Sequence, residues 1–490
     1  MGDSVGEATK PAPAGFLALM RNRNYALLWT GQLISQMGDR FHWLAISLWV
    51  YSLTGSAIHL SIAMTAMTLG RVPLGLLSGV LVDRLNRKAV LVVSDLVRAV
   101  VVATIPSLIV HSVWYVYVAI FLISAASVFF RPAMFAVIPQ VVRKEDLMPA
   151  NSFFSAMDTG TEVIGPILAG MVVMRLGYAA ALYVDAASYV VSGLLVLGMV
   201  IPPLRRIAEG WWQGIRRDMA EGFRYIWTDR LQRALFVSIF VIFWLAGLNS
   251  LQTPLAKGVL GISDAQFGFM NGIHGTGFLT ASLLMGWFGT KFPKGALLIA
   301  GALLLVLATG AAGLAPSYEA LLVAMFSFGF GNIVFLISLA TLIMEITPQE
   351  MVGRVLANRQ VALGIVNTVA LLGFGALADL LGVRESILVM AGLTMALLLL
   401  WVWRNPEVAQ DSRGWWEVLW RRITGSVDPE YDEDQQRWLN LITMSIVLVG
   451  WVIFTFRQPA FGLGMGGLIL GAWGLRKALQ RRGKRGNSEE

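Results

Sequence analysis

Cysteine is absent from this 490-residue chain, and charge is scarce, with Asp, Glu, Lys and Arg making up only 14% of it. Without cysteine no disulfide forms, and redox chemistry says nothing about compartment. A soluble chain carries about a quarter charged residues, so this one lacks the polar coat that a water-facing surface needs. The four histidines, His42, His59, His111 and His274, are scattered without metal-ligand spacing. There is no Gly-x-x-x-x-Gly-Lys-Ser/Thr loop, and so no sign of nucleotide-driven pumping. A Ser-centred nucleophile elbow is also missing. No cofactor site and no catalytic constellation stands out, so an enzyme is not expected.

Apolar residues are in excess, at 56%, and they fall in long runs such as 190–201, 296–314 and 387–402. A membrane crossing takes about 20 mostly apolar residues. Twelve spans are predicted at roughly 25–52, 56–80, 88–110, 113–135, 152–174, 178–201, 234–256, 264–288, 295–314, 318–345, 357–379 and 385–403, and two more at roughly 438–456 and 459–476. The first apolar stretch is too long for a signal-peptide core and is expected to be retained. The net charge of +8 would suggest nucleic acid in a soluble protein. Here its placement gives a simpler cause. With the N-terminus inside, about 30 of the 38 Lys and Arg fall in inner loops and about 4 in outer ones. Both termini are then cytoplasmic, the lipid bilayer is the expected surrounding, and no nucleic-acid partner is expected.

The chain reads as two related halves. Gly79, Arg84 and Arg87 align with Gly286, Lys291 and Lys294 at one offset of about 207 residues, which Ala150-Asn151 and Ala357-Asn358 share. A glycine pair seven apart, Gly170/Gly177 and Gly375/Gly382, recurs near the end of the fifth and eleventh spans. The expected fold is all-α, with two six-helix bundles over 25–201 and 234–404. A polar segment, 1–24, precedes them and a linker, 202–233, joins them. An interfacial segment (405–437), an extra hairpin (438–476) and a basic tail (477–490) follow. The linker and the segment after 405 pair tryptophan with arginine, at Trp211, Trp212 and Trp227 and at Trp415, Trp416, Arg421 and Arg422, as suits helices at headgroup level. A binding cavity between such repeats is common in transporters.

Ionisable residues within spans are costly and mark function by default. Asp39, Arg40 and His42 cluster in the first span, and Arg71 precedes Pro73 in the second. For Asp39 two readings stand: a fixed salt bridge with Arg40 or Arg71, or a coupling role. Asp95 and Arg98, three apart, read as a self-neutralising pair, and Asp185 as a coupling or helix-contact residue. Asp158 and Glu162 are four apart and share a helix face. Glu162 is expected roughly 13 Å deep. Two carboxylates so close should resist ionising together, as a proton or cation relay requires. Against that stands neutralisation by Arg98 or Arg131. Met64, Met67, Trp244 and Met270 read either as walls for an amphipathic substrate or as packing.

Three sets of residues carry a family likeness. The loop Gly79-Val80-Leu81-Val82-Asp83-Arg84-Leu85-Asn86-Arg87-Lys88 resembles the signature loop of the major facilitator superfamily, with Asn86 in place of its inner glycine. Asn22-Arg23-Asn24-Tyr25, Ser35-Gln36-Met37-Gly38-Asp39, Thr54-Gly55-Ser56 and Arg131-Pro132-Ala133 are similar to the bacterial branch of macrolide-efflux and enterobactin-exporter proteins. The stretch Gly165-Pro166-Ile167-Leu168-Ala169-Gly170 resembles that family's antiporter motif in part, and the fourth span lacks the arginine that proton-driven drug antiporters usually keep in its outer half. The likeness covers residues 15–404. It implies a monomeric secondary exporter of amphipathic drugs or siderophores in the bacterial inner membrane, usually exchanging substrate for protons. Asp83, Arg84, Arg87 and Lys88 would gate the inner face. A lysolipid transporter on the same fold and a non-transporting membrane sensor or scaffold are the other readings.

Overall fold

A computed structural model describes residues 16–82, 85–201, 211–289 and 292–408. Asp83, Arg84, the 438–476 hairpin and the basic tail lie outside the described residues. The described chain is helical: α1 (Phe16–Met20), α2 (Arg23–Thr54), α3 (Ala57–Val82), α4 (Arg87–Leu108), α5 (Val113–Val141), α6 (Leu147–Leu197), α7 (Trp211–Thr228), α8 (Arg230–Ile242), α9 (Leu248–Thr253), α10 (Asp264–Phe288), α11 (Lys294–Leu314), α12 (Tyr318–Ile346), α13 (Gln349–Leu381) and α14 (Val383–Arg404). Among the described residues, nine helices are long and apolar enough to cross a membrane. One of these segments is 54 residues long and contains two passes. Adding α2 and α10, which carry more polar residues, gives six passes per half.

The turn between the two passes of α6 is made by one residue. Gly177 has φ 84° and ψ 171°, and Gly382, between α13 and α14, has φ 102° and ψ 157°. Positive φ at this ψ is open only to glycine. The second glycine of each recurring pair is therefore the turn between the last two spans of its bundle. Its partner seven residues earlier packs between bundles. A Cβ on Gly170 would meet the Asp264 carbonyl oxygen at 2.8 Å, and one on Gly375 would lie 3.3 Å from the Ala57 carbonyl oxygen.

The seventh span departs from the uniform helix expected. After α8 the backbone tightens into a 3₁₀ turn (Phe243–Gly247), resumes as α9 and widens into a π-turn (Pro254–Val259). Pro254 has no N–H to give the α-helical ladder, and Gly247 lets the Phe374 ring approach to 2.9 Å from where its Cβ would be. The linker helix α7 docks on α13: Arg354 reaches Glu221 at 2.6 Å, and the Asn358 amide donates to the Met219 carbonyl at 3.1 Å.

The two bundles meet through α6 against α10 and α3 against α13. These approaches concentrate toward the end of the molecule that carries Gly55, Gly177 and Gly382. There Gly268 and Gly275 of α10 bring α6 close, with the Pro166 and Glu162 carbonyl oxygens 2.4 and 2.7 Å from the positions a Cβ would take. Small residues allow such backbone contact. Nearer the other end, Gly160 of α6 and Gly286 of α10 face open space. The bundles therefore close at the Gly55 end and part toward the Asn86 end.

Candidate functional site

A chamber of about 1090 Å³ lies where the bundles part. Its ionisable lining comes from the first bundle alone among the described residues. Asp39, Arg40 and His42 come from α2, Arg71 from α3, Arg98 from α4 and Arg131 from α5, while Asp158, Glu162 and Tyr189 come from α6. The second bundle adds uncharged polar groups, Asn249, Gln252, Ser282, Gln360 and Asn367. On α2 the lining residues 32, 36, 39, 40 and 43 follow helical spacing. That stripe of polar residues is also why α2 is less apolar than its neighbours.

Asp158 and Glu162 share a face as expected, but each has its own cation. Glu162 pairs with Arg40, and Asp158 takes Arg131 at 2.8 Å and the Gln36 amide at 2.6 Å. Each guanidinium offsets its carboxylate's charge, so the mutual repulsion inferred from spacing is relieved locally. Gly165 explains the first pair. A Cβ there would lie 2.5 Å from Cγ of Arg40, so this glycine of the antiporter-like stretch is the seat over which Arg40 passes. Pro166 and Gly170 face α10 instead.

Asp39 binds neither Arg40 nor Arg71, contrary to the fixed salt bridge considered for it. The Tyr189 hydroxyl donates to its carboxylate. Behind this bond lies a buried layer. Arg98 pairs with Asp95 and sits between the rings of Phe130 and Tyr189, 4.7 and 4.3 Å from their centroids. Asp185, fully buried, lies 3.3 Å from the His42 imidazole. It faces Gly38, whose missing Cβ would lie 2.6 Å from its Oδ1.

Arg71 stands apart. It is exposed to the chamber, and no ion pair or hydrogen bond engages it among the described residues. Asp39 lies within electrostatic range of it, as do Arg40 and Arg131. Arg71 also lines an adjoining chamber of about 400 Å³ set into the second bundle. Met64 and Met67 line the main chamber, whereas Met270 is buried in the core and Trp244 packs edge-on against Phe374.

At the closed end, a bond set that sequence reasoning missed joins the bundles. The Asp379 carboxylate, near the end of α13, accepts from the Ala57 N–H at 2.8 Å and the Ile58 N–H at 3.4 Å, and also from the Ser56 hydroxyl. It therefore caps α3 from the opposite bundle. Its only sequence signal is an acid two residues before the end of an apolar span. Of the signature loop, Gly79 lies in the last turn of α3, Arg87 donates to the Ala136 carbonyl at 2.9 Å, and Lys88 donates to the Met199 carbonyl at 2.7 Å. Gln36 and Tyr189 were also missed. Gln36 was legible as the residue one turn before Arg40, and Tyr189 as the one a turn after Asp185.

A sequence model described as Major Facilitator Superfamily matches residues 28–256 and 235–475. The chain is 26% identical over 387 residues to an uncharacterized MFS-type transporter, YfiS, of Bacillus subtilis, covering 76% of this chain and 91% of that one. It is 25% identical over 293 residues to macrolide efflux protein A of Streptococcus pyogenes, covering 59% and 72%. In fold it is similar to a bacterial homolog of the human lysosomal transporter Spinster in an inward-facing, unoccupied conformation, with TM-score 0.65, 14% identity and coverage of 80% and 98%. It is also similar to the nucleoside transporter NupG, with TM-score 0.62, 15% identity and coverage of 77% and 98%.

Proposed function

Because the chain belongs to the Major Facilitator Superfamily and is a multi-pass secondary transporter rather than an enzyme, we propose that it exports amphipathic small molecules by alternating access, driven by protons. The observation that carries this reading is the chamber wall. Two ion pairs, Arg40–Glu162 and Arg131–Asp158, stand in a cavity of about 1090 Å³ on the helix that packs against the other bundle. Protonating either carboxylate frees its arginine and changes what holds α6 to α2 and α5. Glu162 is the inner member of this relay, because its own carbonyl oxygen lies at the α6–α10 contact, where a change of charge is felt by the seam between bundles. Asp158 and Asp39 are the accessory carboxylates.

In this reading the Gly55 end faces outward and is shut, both termini are cytoplasmic, and the protein works as a monomer in the bacterial inner membrane. The loop from Gly79 to Lys88, with Asp83 and Arg84, gates the inner face. The macrolide efflux relatives support export of bulky amphipathic molecules, and the loop charge distribution supports the orientation. The test is transport of a panel of amphipathic drugs, acidic, neutral and basic, in proteoliposomes with an imposed pH gradient. Gradient-independent fluxes, or a Glu162→Gln variant that transports at the wild-type rate and still responds to the gradient, overturn proton coupling through this pair.

A further inference from the structure

The four arginines of the chamber wall are not equivalent. Arg40, Arg98 and Arg131 each hold a carboxylate, and each is accounted for by the protein. Arg71 holds none. A guanidinium exposed to an internal chamber and left without a partner is costly unless something else answers its charge.

Its position shows what it faces. Arg71 stands at the junction of the two chambers and lines both. Asp39 lies on the main-chamber side and is bonded to Tyr189. The second chamber has no carboxylate in its lining among the described residues, so Arg71 is its only charged group. The walls there are apolar, with four phenylalanines, Phe243, Phe278, Phe328 and Phe335, set among aliphatic side chains such as Ile242 and Leu305. Neutral hydrogen-bonding groups stand between them: the amides of Asn332 and Asn367, and His274, whose Nε2 is buried without a partner. Asn367 is already turned toward Arg71's own helix, donating to Thr68 at 3.3 Å.

We propose that the second chamber is a subsite for a planar apolar group bearing an anion, a carboxylate or a sulfonate, with the anion held by Arg71 and the ring seated among the four phenylalanines. A fork of guanidinium donors matches a carboxylate or sulfonate in two parallel hydrogen bonds. A chamber of about 400 Å³ lies within the range of small-molecule sites. It has room for a bicyclic ring but not for a whole macrolide. A larger substrate therefore projects its acidic arm into this chamber while its body fills the main one. The inference rests on the reading of the chain as a transporter of amphipathic molecules and narrows it to those carrying an acidic group.

The probe is radiolabelled 2-naphthoate, measured for saturable binding to the purified full-length protein in lipid nanodiscs against empty nanodiscs, with 2-naphthamide as the uncharged competitor. Wild-type protein is expected to prefer the acid over the amide by roughly tenfold or more, the size of a charge-assisted pair. Arg71→Gln abolishes that preference while leaving the weaker amide binding in place. Arg71→Lys retains part of it, because charge survives and the fork does not. Because the acid-over-amide preference is read on the wild-type protein, the proposal is exposed even if a variant fails to fold. Absence of saturable naphthoate binding, equal affinity for acid and amide, or an unchanged preference in Arg71→Gln each overturns it. The assay uses no gradient, so those outcomes leave proton-driven export standing. Naphthoate binding without any gradient-driven transport in proteoliposomes would sink proton-driven export and leave the anion subsite.

Discussion

In the first bundle, α2 brings Asp39, Arg40 and His42 to the main chamber on one continuous helix. The equivalent opening span of the second bundle, residues 230–259, is broken into α, 3₁₀ and π turns and brings Asn249 and Gln252. The same contrast runs through the whole chamber: among the described residues its charged lining belongs to the first bundle, which also supplies Gln32 and Gln36, while the polar lining of the second bundle is uncharged. A duplicated unit supplies a pseudo-symmetric frame, including matching turn glycines at 177 and 382. Within that frame, among the described residues, the charges that line the chamber come from the first copy alone. The bend in the second bundle's opening span follows from its own residues, Gly247 and Pro254. The charged bundle has the continuous α2, tied to α6 by the Arg40–Glu162 ion pair and the Tyr189–Asp39 hydrogen bond, with His42 lying beside Asp185.

The contrast can be tested by breaking it on one side at a time. The largest effect is expected from Glu162→Gln, which lowers gradient-driven transport roughly 10- to 100-fold, the size of a coupling energy between sites. Asp158→Asn acts in the same direction but less, since Asp158 is more exposed and keeps Gln36. On the second bundle, Asn249→Ala is expected to cost about fivefold, as for one neutral hydrogen bond. Proteoliposome flux under a pH gradient checks all three, and equal losses on both sides would erase the asymmetry.

Next comes the seam. Gly268→Ala places a Cβ 2.4 Å from one backbone atom and 2.8 Å from another, an overpacking that costs about 1–3 kcal/mol. The closed end should loosen, raising the reactivity of a cysteine placed at Gln252, in the chamber, toward a membrane-impermeant reagent applied from the closed side. Gly286→Ala, which meets nothing within 4 Å, should leave that reactivity unchanged. A silent Gly268→Ala would remove the claim that α6 and α10 shut this end.

A smaller shift in the same assay is expected for Asp379→Asn. A capping interaction is worth about 1 kcal/mol, so the open population should rise roughly fivefold. Unchanged reactivity would show that the cross-bundle cap does not hold the seam.

The smallest effect lies outside the spans. Hydrogen bonding from Arg217, and after it the charge of Arg354, holds the Glu221 carboxyl below its ordinary value. A depressed folded value means that this contact stabilises above the ordinary value of 4.5 and is lost as pH falls through the lower, folded one. The thermal midpoint of Glu221→Gln should therefore lie slightly below that of wild type at pH 7, with the gap closing in acid. A gap that persists at low pH would mean that Glu221 does not act through its charge.

Much of this was legible before any coordinates. Apolar runs located the first twelve spans, because a hydrocarbon crossing fixes both length and composition, although polar ends extend the helices beyond them, α5 to Val141 and α13 back to Gln349. Loop arginines and the repeated glycines divided the chain into two six-span halves. Asp39, Asp158, Glu162 and Arg71 stood out because charge is rare inside a span. Of their partners only Arg131, named as a neutraliser of the carboxylate pair and found on Asp158, was legible; the others were not. Arg40 meets Glu162 at a sequence separation of 122, and Tyr189 meets Asp39 at one of 150. Spacing along one helix, which suggested two carboxylates repelling each other, carries no information about an arginine arriving from another.

The sequence by itself determined that this chain crosses the membrane repeatedly as two related bundles, and which few charges the fold must accommodate. Both follow from the cost of placing polar groups in hydrocarbon, which acts residue by residue. Tertiary structure alone decided which charges neutralise one another, that Arg71 is left over at the mouth of an apolar chamber, that Gly165 exists to let Arg40 pass, and that Asp379 caps a helix of the other bundle. Those outcomes depend on distances of a few ångströms between segments far apart in the chain, and helix packing is what sets such distances.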